Sequence, residues 1–311
     1  MPKDRFYWYK SAIQLRGSVL PNVLPRAIFC GLVSVVISIM YYFGWAVSLP
    51  TLASLIPNVV LGLLLVFRTN TAYERFWEGR KLWGIITNNT RNLARQIWVS
   101  VEEKEPQDRD NKIATLRLLV AFAVATKLHL RGESVNEELE GITTKNQYDK
   151  LKEMNHPPLE VAFWISDYLQ QQYERNCLNS YQLTALQELI NSLVDCLGGC
   201  ERILRTPIPL AYAIHLKQLL LLYCLSLPFQ VVKDFGFFSG IIVLIISFTL
   251  LGIEQIGVEI EDPFGNDPND LPLDTICANM RRNIEDLISL APYVRDGQSD
   301  KISAVPRQVE S

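Results

Sequence analysis

The sequence predicts an all-α membrane protein with four transmembrane helices per chain and a helical body in water. Three observations lead there. Hydrophobic residues make up 49% of the 311 positions, charged residues still make up 20%, and the mean hydropathy is +0.10. That mixture fits a chain with one part in lipid and another in solvent. The apolar residues gather in runs of spanning length, with no alternating strand pattern between them. Finally, Pro57 to Arg95 reads PNVVLGLLLVFRTNTAYERFWEGRKLWGIITNNTRNLAR. It is apolar in its first third and basic, aromatic and amide-rich from Arg68, with no turn signal between, which predicts one long helix passing from lipid into water.

The net charge of −3 gives no basis for a nucleic-acid partner. Cys30, Cys177, Cys196, Cys200, Cys224 and Cys277 are scattered through apolar helical context, as reduced packed thiols are, and do not form a secreted disulfide frame. Cys196 and Cys200 share a helix face, but no second Cys/His pair accompanies them, so core packing is the better reading than zinc.

In chain order, residues 1–98 comprise an N-terminal interfacial segment, two spans and the extension of the second. Met1 to Arg26 places Lys3, Arg5, Lys10, Arg16 and Arg26 around Phe6 to Tyr9, and without a cleavage signal it reads as an interfacial helix. Ala27 to Val47 is an uncharged first span, with Tyr41, Tyr42 and Trp45 at its far interface. The long helix begins near Leu55. Lysine and arginine are dense before the first span and after the second and absent between them, which puts the N-terminus on the cytosolic side, and four spans return the C-terminus there.

Residues 99–211 are the helical water-exposed region. It contains an amphipathic helix over Ile113 to Leu130, a polar linker from Gly132 to Asn146, and helices over Val161 to Gln172 and Tyr181 to Leu204. Thr206-Pro207-Ile208-Pro209 breaks the last of these. Residues 212–257 hold the third and fourth spans, read as Leu210 to Pro228 and Phe237 to Ile253, with Phe229 to Phe235 as an outer connection. His215 and Lys217 put the start of the third span at the surface. Residues 258–311 carry an acidic stretch, a helix over Thr275 to Leu290 and a polar tail from Asp296.

Two of these stretches, RTNTAYERFWEGRKLWG at Arg68 to Gly84 and EIEDPFGNDPNDLPLD at Glu259 to Asp274, resemble the motifs after the second and last spans of bestrophins of the bacterial and plant type. TPIPLAY at Thr206 to Tyr212 opens the third span in the same way. The resemblance runs from the first span to about Leu290. It implies a homopentameric ion channel around a central pore, with chloride and other monovalent anions as its cargo.

On the second helix, Val59, Leu63 and Phe67 fall at i, i+4 and i+8 and share one face. By spacing alone this stripe could equally face lipid or a neighbouring helix. The resemblance makes it the pore neck, where five copies give three apolar rings that hinder conduction by dewetting. Arg68 sits at the inner mouth, as an anchor and as a positive charge that draws anions. Arg75, Arg80 and Lys81 read as anchors, pairing with Glu74 and Glu78. Counting back from TPIPLAY, Tyr181 aligns with the second, cytosolic aperture, where the family commonly has a branched aliphatic residue. In calcium-gated animal relatives the last motif forms a calcium clasp, and its positions here are Glu259, Asp262, Asp267 and Asp270. Oxygen ligands suit calcium, yet Glu259 and Asp262 stand where those relatives use amides. The expectation is therefore a solvated loop that caps the next helix and pairs with Arg281 and Arg282, with no cofactor required.

Phosphate loops, HExxH and nucleophile elbows are absent from the sequence, which argues against an enzyme. The alternatives are a cation-permeable pore, a membrane-embedded enzyme built near His215 and Lys217, or a non-conducting scaffold.

Overall fold

The computed structural model describes residue 10, residues 13–49 and residues 55–290. Residues 1–9 and 11–12 of the expected N-terminal interfacial segment, the tip of the first connection and the polar tail lie outside them. Among the described residues all regular structure is helical. In chain order the helices are α1 (Leu20–Tyr42), α2 (Leu55–Ser100), α3 (Asp108–Arg131), α4 (Glu137–Glu140), α5 (Lys145–Glu153), α6 (Pro157–Glu174), α7 (Ser180–Arg205), α8 (Leu210–Phe235), α9 (Ser239–Glu259) and α10 (Leu273–Leu290). The chain divides into two units: residues Met1–Gly79 with Ile203–Leu271, and residues Arg80–Arg202 with Pro272–Ser311.

The first unit holds α1, the start of α2, α8 and α9. Its helices are inside-out by the standard of a water-soluble domain. The buried face of α1 carries Val23, Ala27, Cys30, Gly31, Ser34, Ile37 and Ser38, while Ile28, Phe29, Leu32, Val36 and Ile39 point outward. On α9 the buried positions include Ser239, Gly240, Ser247, Gly252 and Gly257, with Ile241, Ile245 and Ile256 exposed. Small and hydroxyl residues inside and aliphatic residues outside is the pattern of helices packed within lipid. Where α1 crosses α9, a Cβ on Gly240 would stand 2.7 Å from Cγ2 of Val35, so glycine is what permits the approach. The Ser38 and Ser239 hydroxyls lie 2.6 Å apart beside it, with Ser34 donating to Ser239 at 3.1 Å. Cys30, Cys224, Leu227 and Val243 join α1, α8 and α9 in one apolar cluster.

Among the described residues, three stretches are long and apolar enough to cross a membrane: Leu20–Tyr42, Asp108–Arg131 and Leu210–Glu259, the last containing both α8 and α9. α3 (Asp108–Arg131) owes its apolarity to a different environment. It runs through the core of the second unit, and every residue from Leu118 to Leu128 is buried. The helix expected there as amphipathic is thus buried around its whole circumference over Leu118 to Leu128, because neighbours, α6 and α10 among them, cover it. Its first turn holds Asp108, whose carboxylate accepts two hydrogen bonds from Arg175, at 2.7 and 3.1 Å, and the N–H groups of Lys104 and Glu105. The Arg175 guanidinium, followed by those backbone donors, holds the Asp108 carboxyl well below the usual carboxylate range. Lys127, 1% exposed, donates to Glu138 at 2.7 Å and to Asp274 at 2.8 Å, which ties α3 to α4 and α10.

The bounds of the spans differ from expectation. Residues 229–235 continue α8 as helix, and the reversal into α9 falls at the short 3-10 turn Gly236–Phe238. Pro228 does not end α8, since a proline deletes a single backbone donor and neighbouring helices can stabilise the remainder. The first span starts earlier than expected, with proline in its opening turn and Pro25 inside it, and ends at Tyr42. All six cysteines are buried, and none is in a disulfide. Burial pushes the Cys277 thiol up to about 12.

Candidate functional site

α2 is one uninterrupted helix of 46 residues, about 69 Å long at 1.5 Å per residue. At 100° per residue, two faces of its first half separate. Leu61 and Leu65 are buried against Leu216 and Leu220 of α8, and Arg68 and Ala72 continue that buried row. Val59, Leu63 and Phe67 lie on the far side and are 50%, 52% and 61% exposed. The chain's own core therefore leaves this apolar stripe uncovered. Thr71 and Glu74, also exposed, carry the same face onward, so it turns from apolar to polar just past Phe67. A Cβ on Gly62 would meet nothing within 4 Å, so close helix approach is not its role within the protomer. Tyr181, in the first turn of α7, is 87% exposed.

Arg68 does not present its charge to solvent. It is 3% exposed, and its Nη2 donates to Oε2 of Glu261 at 2.6 Å. The other oxygen of Glu261 accepts from the Ile208 N–H at 2.9 Å. Burial raises the Glu261 carboxyl, but the hydrogen bonds from Arg68 and Ile208 outweigh it, and the group sits below its ordinary value. The free inner-mouth charge expected at Arg68 is corrected to a neutralised pair, because a guanidinium at that depth requires a counter-ion.

Arg75, expected to pair with neighbouring glutamates, instead satisfies backbone carbonyls. It donates to Glu261 at 3.1 Å, to Ile203 at 2.6 Å and to Thr206. The Tyr212 hydroxyl donates to the Leu64 carbonyl at 2.9 Å, next to Leu63. Phe67, Thr71, Arg75, Tyr212 and the 206–209 segment line a cavity of about 490 Å³. The three motifs thus meet at the base of the stripe, where Arg75 has other partners than expected, and Glu261 and Tyr212 are the residues that sequence reasoning passed over. A buried arginine directly after an apolar run was the signal that an acid must lie close by.

The acidic loop docks on the same helix. Gly79 faces Pro263 and Phe264 so closely that a Cβ there would stand 3.1 Å from both side chains, and Phe264 is fully buried. Glu259 accepts from the Asn269 amide at 2.7 Å, Asp262 from the Phe264 N–H at 3.2 Å, and Asp270 from the Asp267 N–H at 2.7 Å. The carboxylates of Glu259, Asp262 and Asp270 serve the loop's own donors, and Asp267 takes part through its backbone N–H and carbonyl. Among the described residues, the group of ligand atoms lying within 4.8 Å of one another is His129, His156 and Glu201. At the loop's end Asp274 pairs with Lys127 and Arg131, where Arg281 and Arg282 had been expected as partners of the acidic stretch.

The sequence profile of the Bacterial/Fungal Bestrophin protein family matches residues 1–286. A Nostoc sp. protein named "Voltage-dependent anion channel-forming protein alr2987" is 65% identical over 299 residues, covering 96% of this chain and 97% of that one. The Escherichia coli K12 protein of the same description, YneE, is 31% identical over 275 residues, covering 87% and 88%. A crystal structure of a variant of a bacterial Bestrophin homolog from Klebsiella pneumoniae superimposes with a TM-score of 0.79 at 27% identity, covering 86% of this chain and 99% of that one. The chain belongs to the bacterial and fungal bestrophin family.

Proposed function

We propose that the protein is a passive anion channel and not an enzyme, conducting chloride and similar monovalent anions through a homopentamer. The observation that carries this reading is the uncovered apolar stripe of Val59, Leu63 and Phe67 on the face of α2 opposite its buried row. Five copies facing a common axis bury that stripe as a narrow neck, where an ion must shed or distort its hydration. Tyr181 forms a cytosolic aperture, offering a hydroxyl and a ring edge to a partly dehydrated anion. Each chain crosses the membrane four times, by α1, the start of α2, α8 and α9, with both termini cytosolic. The names of the relatives support anions as cargo. Calcium is not required, since the loop carboxylates are engaged by the loop itself.

A second reading, a cation-permeable pore, is favoured by one observation: Glu261 offsets the charge of Arg68, so the base of the neck has no net sign from that pair. Purified protein in a planar bilayer under a KCl gradient separates the two. Reversal near the chloride potential supports the anion channel, and reversal near the potassium potential supports the alternative. Absence of conductance from an intact oligomer would leave a scaffold. Mass measurement after gentle detergent extraction should return five chains, and a dominant monomer or dimer would remove the axial pore.

A further inference from the structure

We infer that His129, His156 and Glu201 form a binding site for a transition-metal dication, zinc by preference. The three residues come from the last turn of α3, the residue preceding α6 and the last two turns of α7. The Nε2 atoms of His129 and His156 lie 2.6 and 2.9 Å from the same oxygen, Oε1 of Glu201. The two imidazoles are tilted, with centroids 4.5 Å apart. Two of the chain's three histidines thus converge on one carboxylate.

The donor set selects the metal. Two imidazole nitrogens and a carboxylate oxygen suit zinc, which uses this combination with a fourth, open position. Calcium and magnesium take oxygen ligands and are disfavoured here. Tetrahedral zinc with bonds of about 2.0–2.1 Å holds its ligand atoms about 3.3 Å apart. The present separations of 2.6 and 2.9 Å need to open by only about half an ångström, within reach of side-chain rotation.

The site is reachable and has room. His129 and Glu201 are each 19% exposed and His156 32%. A cavity of about 280 Å³ reaches His129 together with Asn155 and Pro157, the neighbours of His156. Binding changes one tautomer. Nδ1 of His156 accepts from the Leu159 N–H at 3.3 Å, which leaves the proton on Nε2. When Nε2 gives its lone pair to the metal, that proton moves to Nδ1 and the long contact is lost. The Leu159 N–H keeps its 3.2 Å bond to the His156 carbonyl, so the start of α6 remains satisfied. A bound ion would pin α3, α6 and α7 at one point.

The test uses full-length protein in detergent, stripped with EDTA and titrated with zinc against a chromophoric chelator. The expected result is one zinc per chain with a dissociation constant in the micromolar range or below. His129→Ala and Glu201→Gln should each weaken it at least about tenfold, while His215→Ala, the remaining histidine, should not. Substoichiometric zinc in the wild type, or unchanged affinity in both site variants, overturns the assignment. Should those variants fail to fold, X-ray absorption at the zinc edge of loaded wild-type protein decides. Two imidazole nitrogens around the metal support the site, and an all-oxygen environment overturns it.

Discussion

The guanidinium of Arg68 and the carboxylate of Glu261 meet at 2.6 Å although 193 positions separate them in the chain. Through the second oxygen of Glu261 the pair also holds the Ile208 N–H, and so links α2, the 206–209 segment and the loop after α9. Glu261→Gln leaves a buried guanidinium without a counter-ion, which costs about 3 kcal/mol. Glu261→Gln should lower the melting temperature in detergent, and Arg68→Met combined with it should recover part of the loss. The pH dependence follows from the depressed Glu261 carboxyl. Its contribution is complete above the ordinary carboxylate value and is lost as pH falls through the folded value. The wild-type advantage over Glu261→Gln should therefore shrink in acid.

The neck makes a second prediction. Val59, Leu63 and Phe67 lie outside the protomer's own core, so replacing all three by alanine should leave the protomer folded. It should widen the path and lower the dewetting barrier. An intact triple-alanine oligomer should conduct more than wild type in a planar bilayer. Equal conductance would place the stripe against lipid or a neighbouring helix.

Calcium dependence is the third. Because the loop around Pro263-Phe264-Gly265 uses its carboxylates as acceptors for its own amides, current should persist in a calcium chelator. Loss of current in chelator, restored by micromolar calcium, would assign the loop a gating ion.

Much of this architecture was readable from residue order, for identifiable reasons. α2 was legible because its hydropathy changes without a helix breaker, and a helix needs no other signal to continue. The lipid-facing helices were legible as long apolar runs. The place of α3 in the helical body was legible, but its burial on every side from Leu118 to Leu128 was not, since the neighbouring helices decide it. Nor could the continuation of α8 past Pro228 be read, since it depends on support from neighbouring helices. Glu261 was overlooked within a motif that had drawn attention to Glu259, because pairing across 193 residues is a tertiary fact. His129, His156 and Glu201 follow no ligand spacing. His156 and His129 lie 45 and 72 positions from Glu201, and folding alone brings them together.

The fourth prediction concerns Lys127. Its ammonium is buried, whereas the side chains of its partners Glu138 and Asp274 are 50% and 63% exposed. Removing the lysine lets both acids return to water, so Lys127→Met should cost only about 1 kcal/mol. Neutralising the acids strands a buried charge, so Glu138→Gln with Asp274→Asn should cost about 3 kcal/mol. The Arg131 guanidinium first, and Lys127 next, hold Asp274 at about 2, against 3.8 for a free side chain. The advantage of wild type over the double variant should be full above about pH 4 and fall as pH approaches 2. At the alkaline end, burial lowers Lys127 but its two acids raise it further, above 10.5. Its contribution is complete below 10.5 and declines as pH rises through the raised value. Melting curves across pH, with both variants alongside, check each limb.

Six buried thiols also make the natural chain its own blank for chemical labelling. Maleimides and methanethiosulfonates react with accessible thiolate. Every native cysteine is shielded, and burial keeps Cys277 protonated at neutral pH. No cysteine-free background therefore has to be constructed before accessibility is mapped. A single cysteine introduced at position 59, 63, 67 or 181 should carry nearly all of the signal. Its rate of modification by a charged, water-soluble reagent, compared with a lipid-soluble one, would report directly which of these positions an aqueous path wets.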